Sequence, residues 1–301
     1  MLSPEKFGFN TFWWEKLHTP NDIRGCVEGL AEIGYRAVEF KTASFNPDRP
    51  LDAQFRGAVK IAQGSALAVS DFVVLRDPVG GNLEGAIEDV SSVIRAAASA
   101  GVDKVNTATG SRPKPKAVSD DWWNPPREDL SEAYGRLYRA FEAYLKVAEK
   151  EGVYLVVEPV AGCMVSDAGT TWEFLRHFES PRMAITLDPS HFFLARDDIA
   201  YTIRELGDRI KHVHVKDAVG RTGELGRDFI FPLLGEGGID WSAFFRSLDD
   251  IGYDGYLSVE FESFKYMYQI LRSDPLKAAR LSYEALSTLF ELYRSGRVER
   301  L

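Results

Sequence analysis

The sequence predicts a (β/α)8 TIM barrel on three observations. Short apolar runs alternate with stretches of helical period along the whole chain, the runs number eight, and polar residues gather where the runs end. With 301 residues, 45% of them hydrophobic, the chain can bury such a core, and it is expected to form one domain over 1–301.

In order, the strands are expected at 6–12, 36–40, 67–72, 104–107, 153–157, 183–187, 210–215 and 256–261, each rich in Val, Ile, Leu, Phe or Tyr. The first helix opens on Thr19-Pro20 as N-cap and first-turn proline. It carries Ile23, Val27 and Leu30 on one face and stops at Gly34. Helical periods follow at 82–100, 128–151, 170–177, 240–251 and 275–295. Two connections are long, 110–126 after the fourth strand and 217–239 after the seventh, and a barrel places both on its catalytic face. In the first of them Trp122 and Trp123 suit either a lid or ordinary surface packing.

The formal charge of −9 and the absence of a basic run argue against a nucleic-acid partner. No apolar stretch approaches the roughly 18 residues of a membrane span, and a cytoplasmic location is expected. Cys26 and Cys163, far apart in the chain, are expected as free thiols.

Chemistry in these barrels sits at the C-terminal ends of the strands. The first four runs end in Asn10, in Glu39 and Lys41, in Asp71 and in Asn106; the last four end in Glu158, Asp188, His214 and Glu260. One strand-end carboxylate means little, but three of them converging with an imidazole repel one another unless a cation or protons compensate them, and a divalent metal is the economical solution. Oxygen ligands with one imidazole suit Mn²⁺ best, with Mg²⁺, Co²⁺ or Zn²⁺ also compatible.

His212 and His214 share one side of a strand, so the terminal His214 takes the metal and His212 is expected as a buried structural residue. His18 and His177 suit surface roles. His191, in Asp188-Pro189-Ser190-His191, reaches the same mouth and is expected to contact substrate. Lys216 either holds a substrate oxygen or pairs with Asp217. Glu236, between glycines in Leu234-Gly235-Glu236-Gly237, either contacts substrate or marks a tight turn. Asn10, Glu39 and Asn106 complete the expected substrate contacts, with Trp13 and its aromatic neighbours as an apolar wall.

These strand ends, with Asp188-Pro189-Ser190-His191, His212-Val213-His214-Val215-Lys216-Asp217, Leu234-Gly235-Glu236-Gly237 and Gly252-Tyr253-Asp254-Gly255, resemble the sugar phosphate isomerase/epimerase family of xylose-isomerase-like barrels. The resemblance implies one divalent metal on Glu158, Asp188, His214 and Glu260. It also implies proton transfer by Glu158 and Glu260 beside a carbonyl of a small polyhydroxylated substrate. The product is then an isomer or epimer of a free sugar, ketose or cyclitol. The alternative is a lyase of the same family, an inosose dehydratase or a C-glycoside deglycosidase catalytic subunit acting on an oxo-sugar. A homo-oligomer fits either reading, and a partner subunit the last one. Ketose 3-epimerases of the family usually follow the strand-five glutamate with an Asn-Arg-Tyr-Glu type segment, whereas this chain has Pro159-Val160-Ala161-Gly162-Cys163. The three-metal endonuclease IV barrels need further histidines where this chain has Glu39, Asp71 and Arg227-Asp228-Phe229-Ile230.

Overall fold

The computed structural model describes residues 2–112 and 130–296. Eight parallel strands close on themselves in chain order: β1 (Phe7–Asn10), β2 (Ala37–Lys41), β3 (Ala68–Val73), β4 (Lys104–Ala108), β5 (Tyr154–Glu158), β6 (Met183–Leu187), β7 (Ile210–Val215) and β8 (Leu257–Val259). The last strand returns to the first in parallel register, from Phe7 opposite Leu257 to Phe9 opposite Val259. Parallel neighbours need crossovers, and helices supply them: α1 (Pro20–Ile33), α2 (Leu51–Gly64), α3 (Leu83–Ser99), α4 (Leu130–Glu151), α5 (Ala168–Arg176), α6 (Pro189–Ala195), α7 (Ile199–Leu206), α8 (Trp241–Asp250) and α9 (Pro275–Ser295).

Local chemistry explains the boundaries. Thr19 and Asp22 form a reciprocal capping box at the start of α1, and Ile23, Cys26, Val27 and Leu30 bury one face of the helix against the barrel. Gly34 ends it at φ +124°, a conformation that L side chains rarely adopt. Asp188, one residue past β6, caps α6 by accepting the Ser190 N–H at 2.8 Å, with Pro189 in the first turn. The sequence reading left α2, α6 and α7 unassigned, and it placed the last strand at 256–261. The ladder there is three residues long, so Glu260 lies just beyond it, held by its backbone N–H on the Val215 carbonyl.

Along each strand alternate residues face opposite sides. Leu155, Val157, Ile185, Leu187, Val213 and Val215 join the apolar layer under the helices. The residues between them face the barrel interior, and that interior is polar. Both cysteines are free thiols. Among the described residues, no helix is long and apolar enough to cross a membrane. The connection after β7 folds back on itself, pairing Val219–Gly220 antiparallel with Phe229–Ile230.

Candidate metal centre

Strands five to eight bring Glu158, Asp188, His214 and Glu260 together at the C-terminal mouth, where one ligand atom from each lies within 4.8 Å of the others. His214 Nδ1 is 3.1 Å from Glu158 Oε1, 3.5 Å from Glu260 Oε2 and 3.9 Å from Asp188 Oδ2. On the other side of the ring, Nε2 lies 2.9 Å from Glu39 Oε1. A fully buried carboxylate there favours a proton on Nε2; burial disfavours the charged ring, but Glu39, Glu158 and Glu260 outweigh it and raise His214 well above its ordinary value, so a cation would take the place of the Nδ1 proton. This is the carboxylate–histidine–metal arrangement that fixes a ligating ring.

Glu39 was expected at the substrate. It is wholly buried beneath the quartet and accepts from His212 Nε2 at 3.1 Å, from His214 and from the Ser258 hydroxyl. Burial works to raise its carboxyl, but the neighbouring His214 and His212 outweigh that and hold it well below the ordinary range. His212 is buried on this carboxylate, in keeping with a structural role. Asp71 lies 3.6 Å from His212 on the same lower level; burial and then the Glu39 charge push it up to about 7.

The upper level carries excess negative charge. Burial, and then the Glu260 charge, push Glu158 up to about 7 against the opposing pull of His214. Burial also disfavours ionised Glu260, yet Lys216 and His214 beside it hold that carboxyl well below the usual range. The Lys216 ammonium sits among the acids, 2.6 Å from Glu260, 2.8 Å from Glu262 and 2.9 Å from Asp188. It does not pair with Asp217. That carboxylate instead accepts the backbone N–H groups of Gly235 and Gly237 and the Trp241 indole N–H.

Asp188 Oδ2 is close to Lys216 but receives no hydrogen bond of acceptable angle, so the approach is ionic and the buried oxygen lacks a donor. A donorless buried carboxylate oxygen, an imidazole nitrogen whose proton a metal would displace and two further carboxylates form a set that a divalent oxygen-preferring cation fits.

His191 stands beside the quartet with Nε2 3.7 Å from Glu158 and 3.8 Å from Asp188. Its Nδ1 lies 3.3 Å from the Ala161 N–H and its Nε2 3.4 Å from the Lys216 ammonium. Burial, with Lys216 next to it, pushes the imidazole down to about 4, so it is neutral near pH 7.

A cavity of about 470 Å³ opens above this group, lined by Glu158, His191, Lys216 and Glu260 together with Phe12, Leu75, Phe229 and Phe231. Glu262 also lines it and escaped the sequence reading, although its spacing of two from Glu260 signals the same side of an extended segment. Several expected contacts lie elsewhere. Asn10 closes β1 as a buried residue, and Asn106 is buried in the barrel with neither side-chain polar atom bonded. Trp13 packs behind the rim, its indole N–H on the Phe261 carbonyl at 2.6 Å, and Phe12 supplies the apolar wall in its place.

Glu236 is exposed and accepts from the Tyr266 hydroxyl at 3.3 Å. Its flanking glycines serve the turn: Gly235 sits at φ +85°, and a Cβ on Gly237 would come within 1.9 Å of Asp217. Trp122 and Trp123 lie outside the described residues.

A closed barrel carrying a buried carboxylate–histidine set at its mouth defines a metal-using TIM-barrel enzyme. Residues 27–289 match the xylose isomerase-like TIM barrel family, and the chain belongs to that family. It is 25% identical to the L-ribulose 3-epimerase of Mesorhizobium japonicum over 268 residues, covering 86% of this chain and 81% of the relative. It is 28% identical to an inosose dehydratase of Clostridium perfringens over 127 residues, 38% of this chain and 43% of that protein. The crystal structure of the IOLI protein with a bound zinc atom superposes with a TM-score of 0.72 at 19% identity, over 96% of this chain and 99% of that one. At that identity the likeness speaks for the fold.

Proposed function

We propose that this chain is a divalent-metal-dependent isomerase or epimerase of an unphosphorylated sugar, ketose or cyclitol, with Glu158 and Glu260 as its proton-transfer groups. The observation that carries the reading is the convergence of Glu158, Asp188, Glu260 and Nδ1 of His214, with ligand atoms within 4.8 Å of one another, at the floor of the cavity. A divalent cation held by these four would supply Lewis acidity there, the chemistry that makes a C–H beside a substrate carbonyl acidic.

The remaining work falls to the protein's own groups. Glu158 and Glu260 arrive from β5 and from the segment after β8, so two carboxylates flank the site. One accepts the carbon-bound proton, and the other delivers a proton to the opposite face or to the neighbouring carbon. His191, neutral and lining the cavity, is placed to hydrogen-bond a substrate hydroxyl. Lys216 offers its ammonium to an oxygen that gains negative charge, and Glu262 keeps it in place. Among the described lining residues the cations are Arg76 and Lys216, and both are committed to carboxylates, which favours an uncharged substrate over a sugar phosphate.

Elimination is the second reading, supported by the likeness to inosose dehydratase. The test is a panel of ketoses, inososes and 3-oxo-glucosides incubated with Mn²⁺-loaded protein in D₂O. Deuterium at the carbon beside the carbonyl, with recovery of an isomer, is the expected result. A product that has lost water or an aglycone supports the lyase, and no exchange or product across the panel contradicts both.

A further inference from the structure

Resting on that reading, we infer that the substrate is not a bare monosaccharide but a sugar or cyclitol carrying an apolar, ring-sized substituent, which the outer half of the cavity binds. The cavity is divided. Its floor holds the charged and polar groups, whereas its walls are Phe12, Leu75, Val160, Ala161, Phe229 and Phe231. These come from the segments after β1, β3, β5 and β7, so the apolar surface surrounds the opening on several sides.

The charged residues at the outer level are in part engaged by the protein itself. Arg76 gives its guanidinium to Asp89 at 2.6 Å and to the Leu75 carbonyl, and Asp77 Oδ1 accepts the Val79 and Gly80 N–H groups. That leaves the second Asp77 carboxylate oxygen, the Cys163 thiol and the Ser111 hydroxyl as the remaining polar side-chain groups, against the six apolar side chains of the walls, among the described lining residues. A free hexose carries a hydroxyl on nearly every carbon, and hydroxyls placed against the apolar part of such a wall lose their water without replacement, which is unfavourable. An aryl or alkyl substituent has no such cost and gains from burial.

Two further features agree. A volume of 470 Å³ falls within the roughly 300–1,000 Å³ typical of pockets for drug-sized ligands. Leu75 is a large apolar side chain left 51% exposed at the opening, and Ile230, beside Phe229, is 49% exposed. These positions sit above the reacting centre, so the substituent is carried on the part of the sugar remote from the carbonyl, where its burial orients the reacting carbon without touching the metal ligands.

The test compares the affinities of the Mn²⁺-loaded full chain for phenyl β-D-glucopyranoside and methyl β-D-glucopyranoside by calorimetry, two stable probes that differ only in the substituent. The phenyl glycoside is expected to bind at least about tenfold tighter. Leu75→Ser combined with Phe229→Ser, both at the exposed rim, is expected to bring that ratio close to one, and circular dichroism confirms the fold of the variant. Equal affinities in the native protein, no binding of either probe, or a ratio unmoved by the double substitution overturns the inference. The D₂O panel separates the two levels. Exchange on bare ketoses together with equal glycoside affinities removes the apolar subsite and leaves the proposed function standing, whereas absence of exchange removes the function as well.

Discussion

The barrel interior holds two carboxylate–histidine clusters stacked one above the other, and His214 belongs to both. The lower one pairs Glu39 with His212, His214 and Ser258 in a sealed space, with Asp71 beside it; the upper one sets Glu158, Asp188 and Glu260 around the opposite side of the same imidazole, open to the cavity. Residue types are nearly the same. The difference lies in access and in the number of carboxylates. Glu39 receives donors from three side chains and is held well below the ordinary carboxylate range. Asp188 keeps a buried oxygen without a donor, and Glu158 is pushed up to about 7. Asp71 Oδ2 and His212 Nδ1 in the lower cluster also lack partners and Asp71 too is pushed up to about 7, so it is access to the cavity, together with the larger number of carboxylates, that marks the upper cluster as the one a cation would reach.

Removing an upper ligand breaks the contrast most severely. Asp188→Ala or Glu260→Ala is expected to reduce bound metal from one per chain to near zero and to lower turnover by roughly two or more orders of magnitude, read by elemental analysis and by exchange rate. Glu158→Gln keeps an oxygen at the site but no proton acceptor. It should lower turnover about 10²–10⁴-fold while retaining measurable metal, and near-native rates in both Glu158→Gln and Glu260→Gln contradict the two-carboxylate mechanism.

Glu39→Gln tests the lower cluster. Its neutral amide no longer anchors the Nε2 proton of His214, and metal affinity should weaken about 10–100-fold, measured by competition with a chelator. A loss as complete as that of Glu260→Ala makes Glu39 a ligand instead of a support.

The smallest effect belongs to Asp71, which keeps its proton up to about 7 against an ordinary value of 3.8. A raised folded-state value stabilises the folded chain below 3.8, and that contribution is lost as pH rises through about 7. Asp71→Asn, which has no proton to lose, should therefore flatten the fall in Tm between pH 4 and 8 by about 2–4 °C. An unchanged slope in metal-free protein assigns the pH dependence elsewhere.

The same comparison explains what the sequence disclosed. Period-two apolar runs and the residue that ends each one placed Glu158, Asp188, His214 and Glu260 at one end of a barrel, because parallel strands carry their ends to one face. That logic treats every strand-end carboxylate alike, so it put Glu39 at the substrate. Which side of His214 faces which acid depends on strand stagger and ring orientation, and neither is written in local pattern. Lys216 was legible as a cation near the site, but its choice of Asp188, Glu260 and Glu262 over Asp217 follows from the turn at Gly235 and Gly237 that claims Asp217 first. The helix α2 was missed although Phe55, Ala58 and Ala62 keep helical spacing, since small alanines give a weak apolar signal.

The most direct test of the central claim is a diffraction experiment on crystals soaked in Mn²⁺, with anomalous data collected at the manganese edge. One peak per chain is expected, bound by Glu158, Asp188, Glu260 and Nδ1 of His214, with Nε2 still on Glu39. A peak on the other side of the imidazole, between Glu39, His212 and Nε2 of His214, or no peak at saturating Mn²⁺, contradicts the account.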